Sequence, residues 1–170
     1  MSVTTQTYSS RGTSINSAKL PKVYTKVCFR PGDTVLDYGC GKFTSHIRGN
    51  VGGEYLPYDP FNQTARINEN SLRKVREAMR NGKSVDVVCS NVLNVIDDED
   101  TIRKICQRIE YIAEKSGGRG FVTVYEGDKT GRGRRSGLDQ YQRHEKLAEY
   151  IKYFKNARVY NGMIVIGEGV

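Results

Sequence analysis

The segment Thr34-Val35-Leu36-Asp37-Tyr38-Gly39-Cys40-Gly41 constrains the fold of this chain more than any other. Its opening run is β-branched and apolar without alternation, which reads as a strand buried on both faces. Such strands belong to parallel sheets covered by helices. The run stops at Gly39-Cys40-Gly41, so the strand enters a turn whose glycines let the backbone bend sharply and approach a ligand closely. Asp37 sets a carboxylate at the end of the same strand.

The rest of the chain fits that beginning. Arg30-Pro31-Gly32-Asp33 is a turn ahead of the strand, and Ala18 to Val27 predicts a short helix interrupted by Pro21. Residues 1–17, rich in Ser and Thr, read as an N-terminal arm. A second strand is predicted at Glu54 to Tyr58, closed by Asp59-Pro60, and an amphipathic helix at Asn68 to Met79, ended by Asn81-Gly82. Val85 to Cys89 predicts a third strand, followed by the segment Ser90 to Ile96. Asp97-Asp98-Glu99-Asp100 places negative charge where a helix dipole favours it, and Ile102, Ile105, Ile109 and Ile112 give that helix an apolar stripe. After Gly117-Gly118 come a fourth strand at Phe121 to Tyr125 and a further helix at Gln140 to Phe154. Arg158 to Tyr160 and Met163 to Ile166 then form a hairpin across Asn161-Gly162.

Strands alternating with helices, then a hairpin, predict an α/β fold: a mostly parallel sheet with helices on both faces and a C-terminal antiparallel hairpin. A chain of 170 residues suits a single domain, here residues 18–170. In such sheets ligands sit at the carboxyl ends of the strands, near the point where strand order reverses.

Charge and cysteine usage narrow the function. Twenty-seven Lys and Arg against nineteen Asp and Glu leave a formal charge of +8, which favours an anionic partner such as DNA, RNA or a phosphorylated small molecule. The four cysteines, Cys28, Cys40, Cys89 and Cys106, include no CxxC pair, and His46 and His144 have no spaced partners, so no metal site is predicted. No stretch approaches the ~20 apolar residues of a membrane span, and the start MSVTTQTYSSRGTS lacks the apolar core of a secretory signal. The expectation is a cytoplasmic protein with no membrane partner.

The strand ends carry the chemistry. Asp59 lies about twenty residues beyond the glycine turn, where a carboxylate can accept both hydroxyls of a ribose, so the two features together indicate a nucleoside-bearing cofactor. A dinucleotide wants G-x-G-x-x-G and a helix N-terminus for its pyrophosphate. Here Thr44 stands at the third glycine position, and Asp37 precedes the turn and would repel that anion. S-adenosylmethionine carries no phosphate but a sulfonium and an amino group, to which Asp37 is an asset.

Val35 to Gly41 resembles the first motif of class I S-adenosylmethionine-dependent methyltransferases, and Tyr58-Asp59-Pro60 resembles their second. The likeness covers roughly Val35 to Ile166 and implies a Rossmann-like methyltransferase sheet. It implies a cofactor set of Asp37, Tyr38, Gly39, Cys40, Gly41, Asp59, Pro60, Ser90 and Asn91, with the backbone around Gly39 and Gly41 facing the methionine part, Asp37 near its amino group or a bound water, and Asp59 on the ribose. Thr13-Ser14-Ile15, the Asp37 motif, Ser90 to Ile96 and Asp139-Gln140-Tyr141-Gln142 together resemble methyltransferases associated with DNA phosphorothioation. Only about 25 residues separate Asp59 from Val85, so the edge strand of the first half of that fold is reduced or missing.

Methyl transfer needs an in-line approach of the acceptor, so positioning supplies much of the rate. Amine methylases place Asp or Asn followed by two prolines after the third strand, where this chain has Ser90-Asn91-Val92-Leu93. Asn91 is the candidate nearest the reacting atoms, and Glu126 after the fourth strand is a second catalytic candidate. Lys129, Arg132, Arg134 and Arg135 lie among glycines in the loop that follows, with Tyr141 beyond them, a set suited to phosphates and a stacked base, and Lys19, Lys22 and Lys26 add charge at the mouth of the site from the other end of the chain. The acceptor implied is nucleic acid or a nucleotide. The alternative is a protein of the same fold that binds S-adenosylmethionine or nucleic acid without turnover.

Overall fold

A computed structural model describes residues 7–8, 19–137 and 139–168 of the chain. The predicted arm at 1–17 and the Thr13-Ser14-Ile15 segment therefore lie outside the described residues, apart from Thr7 and Tyr8.

The chain is α/β. Helix α1 (Val23–Lys26) precedes strand β1 (Thr34–Tyr38), and the short helix α2 (Ser45–Arg48) leads to β2 (Glu54–Tyr58). Helix α3 (Ala65–Arg80), strand β3 (Asp86–Ser90), a 3₁₀ turn at Leu93–Val95, helix α4 (Glu99–Ser116) and strand β4 (Gly120–Thr123) follow. Strands β5 (Gly133–Gly137) and β6 (Gln140–Arg143) precede a 3₁₀ helix at Leu147–Tyr153, and β7 (Ala157–Tyr160) and β8 (Met163–Ile166) close the chain.

Six strands form one sheet in the order β2-β1-β3-β4-β8-β7. β1 pairs in parallel with β2 and β3, and β4 in parallel with β3, whereas β8 is antiparallel to both β4 and β7. Chain order reverses at β1, between β2 and β3, so the crevice described for doubly wound sheets falls at the glycine turn. β2 is the sheet's edge, and α3 alone fills most of the connection back to β3.

Every residue of β1 is buried, as its unalternating apolar run predicts. The pleat sends Leu36, Leu56, Val87, Cys89 and Val122 to one face, where α3, α4 and the second 3₁₀ helix cover them with Val75, Ile102, Ile109 and Tyr150. Val35, Tyr55, Val88 and Phe121 point to the other face, under Val23, Tyr24, Phe29 and Ile47. Helix α4 begins where its charges place it, with the Asp98 carboxylate accepting from the Thr101 N–H at 2.8 Å, and ends at Gly117, whose φ of 72° terminates the helix in the left-handed region.

Two predicted elements are corrected. The helix expected at Gln140 to Phe154 is instead strand β6 followed by the 3₁₀ helix. Leu147, Tyr150 and Tyr153 are the buried residues of that segment, and their spacing of three matches the 3.0 residues per turn of a 3₁₀ helix rather than the 3.6 of an α-helix. The segment of glycines and arginines after β4, read as a loop, folds at its end into β5, which pairs antiparallel with β6 as a separate two-stranded sheet. Gly133 has a specific role there: a Cβ at this position would collide with the Tyr141 hydroxyl and ring that lie against it.

Candidate functional site

The carboxyl ends of β1, β2, β3 and β4 open into one cleft of about 930 Å3. Its floor is the glycine turn. Gly39 (φ 92°) donates its N–H to the Tyr58 carbonyl at 2.7 Å, Cys40 donates to the same oxygen at 3.1 Å, and Gly41 (φ 77°) donates to Asp59 Oδ2 at 2.9 Å. Only glycine fits at position 39, because a Cβ there would overlap the Val92 side chain and the φ is left-handed.

Asp59 holds this floor together. Its Oδ1 accepts from the N–H groups of Phe61 at 2.9 Å and Asn62 at 3.0 Å, and its Oδ2 accepts from Gly41 N and from Asn62 Nδ2 at 3.1 Å. A carboxylate offers about four lone-pair sites, so all are in use. Asn68 adds a reciprocal pair to the Asp59 backbone, both bonds at 2.9 Å, and Gln63 Nε2 donates to the Gly41 carbonyl at 2.7 Å.

Asp37 lies beneath the turn, 3% exposed, and is not among the residues lining the cleft. The Tyr55 hydroxyl donates to its Oδ2 at 2.5 Å and the Tyr24 hydroxyl lies beside it. Burial raises the Asp37 carboxyl to about 6, against the opposing pull of those two hydroxyls. Tyr38, Gly39, Cys40, Gly41, Asp59, Pro60, Ser90 and Asn91 do line the cleft, so eight of the nine predicted cofactor residues converge on it. Burial, foremost, holds the Cys40 thiol far above the ordinary cysteine range and in its neutral form.

On the β3 side, Ser90 Oγ accepts from Thr123 Oγ1 at 3.0 Å. Asn91 takes a left-handed φ of 56°, with its N–H donating to the Thr123 carbonyl at 2.9 Å, and its side chain is exposed at the cleft. Glu126 also lines the cleft, but its Oε2 accepts from the Leu147 N–H at 2.8 Å and starts the second 3₁₀ helix. Asn94, three residues past Asn91, is 1% exposed; its Nδ2 donates to Gln142 Oε1 at 3.1 Å and its buried Oδ1 accepts nothing. An unmet buried acceptor costs about 1–3 kcal/mol.

The cations of the cleft do not come from the glycine-rich segment after β4. Lys129, Arg132, Arg134, Arg135 and Tyr141 do not line it, and Gln142 alone of β5 and β6 does. Arg134 pairs with Asp128 at 2.6 Å, the Arg135 guanidinium sits 5.5 Å from the Tyr8 ring, and Tyr8 stacks on Tyr141 with centroids 6.0 Å apart and planes 4° from parallel. Lys19, Lys22 and Lys26 line the cleft from the segment around α1, and Lys104 and Arg108 line it from α4. Lys26 donates to the Asn161 carbonyl at 2.7 Å, and the Arg108 guanidinium lies near the Tyr38 hydroxyl, whose ring packs 4.7 Å from that of Tyr58. Among the described residues, Lys19, Lys22 and Lys104 meet no carboxylate at ion-pair distance. Lys104 and Arg108 are four apart on an exposed helix face, a pattern that in sequence reads only as solvated charge.

Among the described residues no group of three or more His, Cys, Asp or Glu side chains is placed to hold a metal ion, and no helix is long and apolar enough to cross a membrane. No protein-family model matches the chain, and a search of curated proteins finds no match.

Proposed function

We propose that this chain is a class I, Rossmann-like methyltransferase that moves a methyl group from S-adenosylmethionine to a nucleic acid or a nucleotide. The observation that carries the reading is the joint placement of the glycine turn and Asp59 at the ends of adjacent parallel strands, facing one cleft at the chain-order switch. The N–H groups of Gly39, Cys40 and Gly41 are spent on Tyr58 and Asp59. They leave no cradle for a pyrophosphate, and α2, of four residues, is too short to supply one. A cofactor without phosphates fits this floor better than a dinucleotide.

The methyl donor supplies an electrophilic carbon that an acceptor attacks in line. The chain's part is to bind and orient. Asp59 sets the turn against which the donor rests, and of its four bonds the one from Asn62 Nδ2 is the longest and comes from a side chain, so it is the bond a ribose hydroxyl can replace. Asn91, exposed at the cleft on a constrained backbone, accepts a hydrogen bond from an acceptor amine on this reading. Glu126 acts on this reading through position, because its carboxylate already anchors Leu147. Lys19, Lys22 and Lys104, which line the cleft, favour an anionic acceptor.

The test is thermal stabilisation. S-adenosylmethionine and its demethylated product should each raise the melting temperature, and NAD should not. No shift with either methyl compound sinks the proposal. A shift without methylation of DNA, RNA or nucleotides favours the alternative, a binding protein of the same fold. Affinity for nucleic acid should fall as salt rises from low to physiological concentration.

A further inference from the structure

The pair Asn94 and Gln142 is left over by the roles above. Both side chains line the cleft, Gln142 half-buried and Asn94 almost wholly so. Their one mutual hydrogen bond uses the Asn94 amino group and the Gln142 oxygen, which leaves Asn94 Oδ1 as an acceptor and Gln142 Nε2 as a donor. Rotating both amides about their last bond reverses the mutual bond and leaves the Asn94 amino group with the Gln142 oxygen instead. In either arrangement the pair presents one acceptor beside one donor.

Buried polar groups are as a rule hydrogen-bonded, so the unmet Asn94 oxygen marks a place where a further donor belongs. A nucleobase edge with an exocyclic amine next to a ring nitrogen, as in adenine or cytosine, is the complement of such a pair, and carboxamides bind adenine in this bidentate way. Three cations that meet no carboxylate among the described residues, Lys19, Lys22 and Lys104, line the same cleft and suit a phosphate. The two requirements meet in one molecule.

We propose that Asn94 and Gln142 read the base edge of a nucleotide, with its phosphate held by Lys19, Lys22 and Lys104. Gln142 swings to admit the base, which uncovers Asn94 Oδ1, already without a donor, to accept from the exocyclic amine. The proposal rests on the reading of this cleft as one that receives a nucleotidic acceptor.

Calorimetric titration of the full chain with AMP, CMP and ribose 5-phosphate tests it. AMP or CMP should bind about tenfold or more tightly than the base-free sugar phosphate. Gln142→Leu should bring the nucleotides down to the level of ribose 5-phosphate and leave ribose 5-phosphate unchanged. Asn94→Leu should do the same, with Gln142→Leu deciding if that buried variant does not fold. Lys19→Glu with Lys22→Glu should weaken all three ligands alike. A parallel titration with short single-stranded oligonucleotides of A and of C separates a free nucleotide from one within a strand, since the Gln142→Leu loss then appears only in the strand. Nucleotides and oligonucleotides that bind no better than the sugar phosphate, or that ignore Gln142→Leu, overturn the inference. Stabilisation by S-adenosylmethionine, read on the same samples, is independent: its absence overturns the transferase reading and leaves the base-reading pair standing.

Discussion

The floor of the cleft and the β5–β6 hairpin are both rich in glycine, and they use it in opposite ways. At the floor, Gly39 and Gly41 take left-handed φ values and every N–H of the turn is bonded to Tyr58 or Asp59, so glycine there fixes one backbone path. In the hairpin, Gly133 makes room for a side chain, the Tyr141 ring, and most of the neighbouring charge is exposed. The first region is preorganised by saturating its own polar groups. In the second, a short ladder is joined by the Arg134–Asp128 ion pair and the Tyr8–Tyr141 stack. Substitutions in the floor should therefore cost stability even without ligand, and substitutions in the hairpin should act mainly on binding.

The largest effect is expected at Asp59. Asp59→Ala removes an acceptor of four hydrogen bonds and strands the N–H groups of Gly41, Phe61 and Asn62, for a loss of about 3–5 kcal/mol in chemical denaturation. Asp59→Asn, which keeps an oxygen in place, should lose less. If Asp59→Ala unfolds at the wild-type denaturant concentration, the floor is not held as the hydrogen bonds indicate. Gly39→Ala comes next: a left-handed φ combined with overlap on Val92 should cost about 2–4 kcal/mol and abolish stabilisation by S-adenosylmethionine.

Asp37 makes a third, pH-dependent contrast. Its carboxyl is raised from an ordinary 3.8 to about 6 in the fold, by burial first. The folded state therefore holds the proton more tightly than the unfolded chain. The stability this lends is complete below pH 4 and is lost as pH rises through 6, for a total of roughly 2–3 kcal/mol. The difference in unfolding free energy between wild type and Asp37→Asn should fall by that amount from pH 4 to pH 7. A pH-independent difference would mean that Asp37 is not held in the buried setting between Tyr24 and Tyr55.

Which parts of this were legible in the sequence follows from where the signal was local. The buried β1 run, the Asp98 cap and the closing hairpin are each specified by contiguous residues, and they stand where the sequence put them. The β5–β6 pairing was not legible, because Gly133-Arg134-Arg135-Ser136-Gly137 has no apolar alternation and its partner strand, Gln140 to Arg143, has ordinary helix propensity. Long-range pairing decided both. Most of the cofactor set was readable because residues at strand ends share a destination once the strands are known. Of the cleft's cations the N-terminal lysines were readable and Lys104 was not, since it meets Lys19 and Lys22 only through the packing of α1 and α4 on opposite faces of the sheet. Asn94 lies in the same segment as Asn91, and the signal that singles it out, an unmet buried oxygen, exists only in three dimensions.

Tyr8 offers the smallest effect and the sharpest contrast with the floor. It reaches the hairpin from the far N-terminal part of the chain, where the Thr7 N–H donates to Asp97 Oδ1 at 3.0 Å, and it covers the Tyr141 ring while Arg135 sits over its own. A partly exposed ring pair of this kind is worth about 0.5–1.5 kcal/mol, so Tyr8→Ala should lower stability by no more than that. Its effect on binding has the opposite sign. Gly133 and Tyr8 both lie against Tyr141, so a base that stacks on Tyr141 must first displace Tyr8. Removing Tyr8 should then raise the affinity for single-stranded oligonucleotides several-fold, in proportion to the stacking it uncovers. Unchanged affinity would show that Tyr141 is a strut of the hairpin rather than a platform for a base, and would leave the cleft wall, with Asn94 and Gln142, as the place where a base is met.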